Sequence, residues 1–112
     1  TLYPRQGFNV SLRYNRLMMD SDDMQRWPGR LIAAGRALAD LTVRDLAEEA
    51  NVTPRTIVRI ETAPEVLVSP VLRHGAVSRD TWDKIIDALG RHGVELFPAR
   101  GPYGAGVRRT QP

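Results

Sequence analysis

The chain has 112 residues, 42% of them apolar and 26% charged, with a formal net charge of +3, the balance of an ordinary globular protein with one modest core. It holds no cysteine, which excludes disulfides and thiolate metal sites and fits a reducing cytoplasm. So small a charge excess does not by itself argue for a polyanionic partner, because a phosphate-binding face needs local positive charge.

Residues 1–24 read as an N-terminal extension. Phe8, Val10, Leu12 and Tyr14 alternate with Asn9, Ser11, Arg13 and Asn15, the period-two pattern of a strand with one apolar face. Such a strand is expected to form an interface or to pair with strands near the C-terminus. Arg5, Arg13 and Arg16 also suit an arm entering a minor groove, but Asp20, Asp22 and Asp23 follow directly and oppose it. The chain starts at Thr1, and Met18, Met19 and Met24 are natural starts for a shorter form. No apolar run reaches bilayer-spanning length and no basic-then-apolar leader is present, so the expected location is cytoplasmic, without membrane contact.

A first helix is expected over 28–39, with Pro28 opening it and Leu31, Ala34, Gly35 and Leu38 as its inner face. A second follows from Thr42, whose hydroxyl can cap it while Asp45, three residues on, bonds back. There Val43, Leu46, Ala47 and Ala50 fall at i, i+3, i+4, i+7, leaving Arg44, Asp45, Glu48 and Glu49 outside. Asn51 tolerates the left-handed conformation of a sharp turn. Thr53 then caps a third helix with Pro54 at its first position, and Pro64 ends it near Thr62. Ile57 and Ile60 share one face with Glu61, whereas Arg55, Val58, Arg59 and Thr62 occupy the other.

The run LTVRDLAEEANVTPRTIVRIE, residues 41–61, resembles the helix-turn-helix of Cro/C1-type (XRE family) transcriptional regulators, roughly T-Q-x-x-L-A-x-x-x-G-V-S-x-x-T-I-x-x-I-E-x-G. It matches at Thr42, Leu46, Ala47, Val52, Thr53 (for Ser), Thr56, Ile57, Ile60 and Glu61. The resemblance implies a mostly α, lambda-repressor-like helix-turn-helix bundle, here with flanking N- and C-terminal β-strands. It also implies that Arg36 pairs with Glu61 as a structural clasp. The chain departs from the pattern at Val43, where the family often has a phosphate-anchoring Gln, and at Pro54, where it often has a base reader. Base reading therefore falls on Arg55 and Arg59, one turn apart, with Val58 able to touch a thymine methyl. Thr53, Thr56, Thr62 and Arg44 are the expected phosphate and positioning contacts.

Residues 62–77 are longer than a usual helix connection and read as an inserted loop, in which Val66, Leu67, Val68, Val71 and Leu72 need cover, often from a second subunit. Ser78 or Asp80 starts a fourth helix. Trp82, Ile85, Ile86 and Leu89 form its stripe, Asp83, Lys84 and Asp87 face water, and Gly93 ends it. Trp82 is read as core. Residues 25–93 thus form the DNA-binding unit. In the tail, 94–112, VELF reads as a strand and Val107, Arg108 and Arg109 as its return, expected to extend a sheet across a dimer or to pack on the helices. ALGRHGVELF with GAGVRR resembles the end of many short proteins of the same family, so the likeness spans about residues 28–109. GPYGAG lacks the Lys-Ser/Thr and following helix of a phosphate loop.

His74 and His92 are the only histidines, and neither has a ligand or relay partner at sequence spacing. Asp80, Asp83 and Asp87 suit surface solvation. No catalytic site, metal or cofactor is expected. The expected function is that of a sequence-specific double-stranded DNA-binding regulator acting as a homodimer; the alternative is a protein-binding module, such as an antitoxin or an inhibitor of another regulator.

Overall fold

Residue order along the chain gives β1 (Gln25–Trp27), α1 (Arg30–Leu38), α2 (Val43–Ala50), α3 (Pro54–Thr62), β2 (Val66–Ser69), β3 (Val77–Ser78), α4 (Arg79–Arg91), β4 (Val94–Phe97) and β5 (Gly106–Arg109). The computed structural model describes residues 24–110. The strand expected over 8–14, and the arm arginines Arg5, Arg13 and Arg16, lie outside the described residues. The architecture is four helices with two small sheets. Among the described residues no helix is long and apolar enough to cross a membrane.

Local chemistry sets α2, α3 and α4. At α2 the Asp45 N–H donates to Thr42 Oγ1 at 3.0 Å and the Thr42 N–H to Asp45 Oδ2 at 3.1 Å, a complete capping box. These bonds hold the Asp45 carboxyl below the usual range. Asn51 closes α2 at φ 57°, ψ 46°, left-handed. Thr53 and Ser78 cap α3 and α4 by accepting the N–H groups of Thr56 and Thr81. Gly93, at φ +75°, turns the chain out of α4.

The core joins Ile32 of α1, Leu46, Ala47 and Ala50 of α2, Ile57 and Ile60 of α3, and Trp82, Ile85, Ala88 and Leu89 of α4. Helix α1 differs from expectation in phase. It begins at Arg30 after Gly29, not at Pro28, and buries Ile32 and Gly35 while Ala34 and Leu38 are exposed. Leu31, Ile32, Ala33, Ala34, Ala37 and Leu38 put apolar side chains on more than one face of this helix, which leaves its stripe ambiguous, and packing selects the row through Ile32.

Residues 62–77 are not an open loop. Strand β2 pairs antiparallel with β1, Trp27 opposite Val66, and parallel with β3, Ser69 opposite Ser78. Val66 and Val68 are buried by the chain's own elements rather than by a second subunit, whereas Val71 and Leu72 are exposed. Trp27 stacks at a 32° tilt on Trp82, with centroids 5.7 Å apart, so β1 seals the sheet against α4. Strands β4 and β5 form a hairpin, Val94 opposite Arg109 and Phe97 opposite Gly106. The hairpin packs on the helices: a Cβ on Gly35 of α1 would lie 3.3 Å from Val94 Cγ1 and 3.5 Å from Val107 Cγ2.

Candidate nucleic-acid interface

Helix α3 is held from one side only. Ile57 and Ile60 are fully buried, and Glu61 points the same way into a two-pronged contact with Arg36 of α1. Nε donates to Oε2 at 2.8 Å and Nη2 to Oε1 at 3.1 Å, while Nη1 of the same guanidinium donates to the Leu41 carbonyl at 3.1 Å. Arg36 thus fixes both α3 and the corner between α1 and α2. The Glu61 side chain is 9% exposed and that of Arg36 24%. The bond to Glu61 raises the Arg36 pKa above its ordinary value, and fork-on-fork geometry gives such pairs their directional hold.

The other side of α3 is open. Arg55, Val58, Arg59 and Thr62 are all exposed, with Val58 at 47%. Arg55 and Arg59 project from successive turns, the spacing that puts two guanidinium forks along one line. Their reach and five donors suit the paired acceptors on a guanine edge.

The threonines differ in what they can give. Thr53 Oγ1 accepts the Thr56 N–H at 3.2 Å and sits 3.0 Å from Thr56 Oγ1. Only one of the two hydroxyl hydrogens is used in that contact, so the pair keeps one O–H for an outside acceptor. Thr62 Oγ1 instead donates to the Val58 carbonyl at 2.9 Å, with the Arg59 carbonyl at 3.3 Å. Its single hydrogen is spent on its own helix, and a phosphate contact there has to displace it.

Arg44 is exposed on the first turn of α2. Val43, by contrast, is half-buried and packs on the core, so the first position of α2 is structural in this chain. Pro54 is exposed at the start of α3.

Tertiary structure adds groups that sequence spacing does not bring to α3. A concavity of about 390 Å³ is lined by Thr53, Thr56 and Arg59 from α3, Leu72 and Ala76 from the segment after β2, and Ser78, Thr81 and Lys84 at the start of α4. Lys84 pairs with Asp80 at 3.5 Å, an exposed i,i+4 contact. No periodicity marks Lys84 as a neighbour of Arg59, because the α4 pattern reports only which residues are buried.

His92 also has a partner that its sequence neighbourhood does not show. Its Nε2 lies 2.6 Å from Glu49 Oε2, and Arg91 Nη2 donates to the Glu49 carbonyl at 2.9 Å. Two residues at the end of α4 therefore grip the last turn of α2, away from the open face of α3. The His92 hydrogen bond is the main cause of a Glu49 pKa below its ordinary value.

Compared with known proteins, the chain matches no family model, and no curated protein is significantly similar to it.

Proposed function

We infer that the chain is a sequence-specific double-stranded DNA-binding transcriptional regulator whose α2 and α3 form a helix-turn-helix of the Cro/C1 (XRE) type in a lambda-repressor-like bundle. The observation that carries this reading is the open face of α3, where Arg55, Val58 and Arg59 stand exposed on a helix pinned from behind by Ile57, Ile60 and the Arg36–Glu61 pair. A helix fixed on one side and bare on the other, with bidentate donors one turn apart, fits a major groove. Arg55 and Arg59 read guanine edges and Val58 meets a thymine methyl. The Thr53–Thr56 pair and Arg44 hold phosphates.

Acting as a homodimer, two such helices engage half-sites one helical turn apart, on the order of 34 Å. In this reading the protein carries out no catalysis and needs no cofactor, and it works in the cytoplasm.

The test is site selection from randomised duplexes followed by affinity measurement for the wild type, Arg55→Ala and Arg59→Ala. Each substitution is expected to weaken the selected site by roughly 1–3 kcal/mol and to relax preference at one base position. A wild type that selects no sequence and holds no duplex at low salt ends this reading. Exposed Val58 in the middle of the face and Pro54 at its start favour, as second reading, a module that grips another protein such as a toxin or a regulator; capture of a protein partner that Arg55→Ala and Arg59→Ala abolish, with no DNA affinity, is its signature.

A further inference from the structure

Residues 70–76 connect two strands that run the same way, with Val68 opposite Val77 and Ser69 opposite Ser78. A chain re-entering a sheet in the same direction has to travel back outside it, and this segment does so as a bow whose residues 70–75 are all exposed. Its ends are fixed. Ser69 is fully buried and its Oγ accepts the Val71 N–H at 3.2 Å, while Ser78 is the cap of α4. Arg73 Nη1 reaches Met24 Sδ at 3.0 Å, bracing the bow against the residue before β1. The Ala76 N–H closes a turn on the Arg73 carbonyl at 3.2 Å, with Gly75 at φ +82°. On the crest two apolar side chains face solvent, Val71 at 62% and Leu72 at 93% exposure.

Leu72 forms one wall of the concavity that Arg59 and Thr56 of α3 share with Thr81 and Lys84 of α4. Beside Arg59, which also faces the bases in the reading above, its lining carries Lys84, whose ammonium pairs with the exposed Asp80 at the rim, the hydroxyls of Thr53, Thr56, Ser78 and Thr81, and no carboxylate of its own among the described residues. That chemistry is complementary to a phosphodiester strand.

We propose that residues 70–76 form a second DNA-contacting element: with α3 in the major groove, the concavity seats the adjacent phosphate strand and Leu72 enters the flanking minor groove as an apolar wedge. This rests on the DNA-binding reading of α3 and adds to it a contact outside the bases that Arg55 and Arg59 face. Apolar side chains inserted between base steps are an established way to unstack and bend a duplex at the minor groove. A second copy of the chain is the less suitable occupant. The lining itself supplies no carboxylate to meet the Arg59 of another copy, whereas a phosphodiester strand carries one anion per nucleotide.

The test compares wild type with Leu72→Ser, using site selection, minor-groove footprinting and competition by netropsin, a minor-groove ligand. Leu72 is almost wholly exposed, so the variant is expected to melt with the wild type. The expected result is an affinity about tenfold lower, unchanged preference at the bases read by α3, and loss of both flanking preference and netropsin sensitivity. If the wild type binds no duplex, the reading of α3 fails and this inference with it. If the wild type binds a selected site and Leu72→Ser binds it with equal affinity and equal flanking preference, the loop inference alone is overturned. A wild-type dimer that falls apart on Leu72→Ser in the absence of DNA also overturns it, because a second copy is then the occupant.

Discussion

Arg36 of α1 and Glu61 of α3 meet through two parallel N–H···O bonds of 2.8 and 3.1 Å across the back of the helix that presents Arg55 and Arg59. Removing one partner leaves a largely enclosed charge alone, which costs far more than the pair itself is worth. Glu61→Ala is expected to lower stability by about 2–3 kcal/mol, since Arg36 keeps some water contact, and to lower the melting temperature by roughly 10–15 °C. Replacing both partners, Arg36→Met with Glu61→Leu, is expected to recover most of that loss. A double variant as unstable as Glu61→Ala in thermal melts contradicts this account.

Gly29 sits where α1 passes under the end of α3. A Cβ placed there would run into the carbonyl oxygens of Ile60 and Ala63, both main-chain atoms that cannot turn aside. Gly29→Ala is therefore expected to force α1 and α3 apart and to cost about 3 kcal/mol by denaturant unfolding. Gly90→Ala, where nothing lies within 4 Å, serves as the control and is expected to be neutral or slightly stabilising.

Glu49 links acid stability to the contact between α2 and α4. Its folded pKa lies below the ordinary glutamate value, chiefly through the His92 hydrogen bond. The unfolded chain therefore binds the proton more readily near pH 4, and stability rises with pH there. The contribution is fully present above the ordinary range, about 4.3, and is lost as pH falls through the lower folded value. Glu49→Gln is expected to flatten that acid limb in melting temperature measured from pH 3 to 6, and an unaltered limb contradicts the linkage.

Arg44 is exposed on α2, apart from the bases that α3 would face. In the proposed docking it would contact a phosphate and supply charge without sequence information. Arg44→Ala is expected to reduce the slope of log K against log salt by about 1 and to leave base preference unchanged. A changed base preference would move Arg44 into the reading face.

The caps and faces of α2, α3 and α4 are legible in the sequence because they depend on residues within one or two turns. Thr42 with Asp45, Thr53 with Pro54, and Ser78 each satisfy their own helix end, and the isoleucines of α3 recur at a helical period that leaves Arg55 and Arg59 outside. Strand β4 and its return are legible for the same local reason. The phase of α1, the sheet that joins residues 25–27 to 66–69, the close approach at Gly29, and the meetings of Leu72 and Lys84 with α3 and of His92 with Glu49 are decided only in three dimensions. Each of those depends on groups that are distant in the chain and compete for the same buried space, and no local pattern encodes which of them packing will choose.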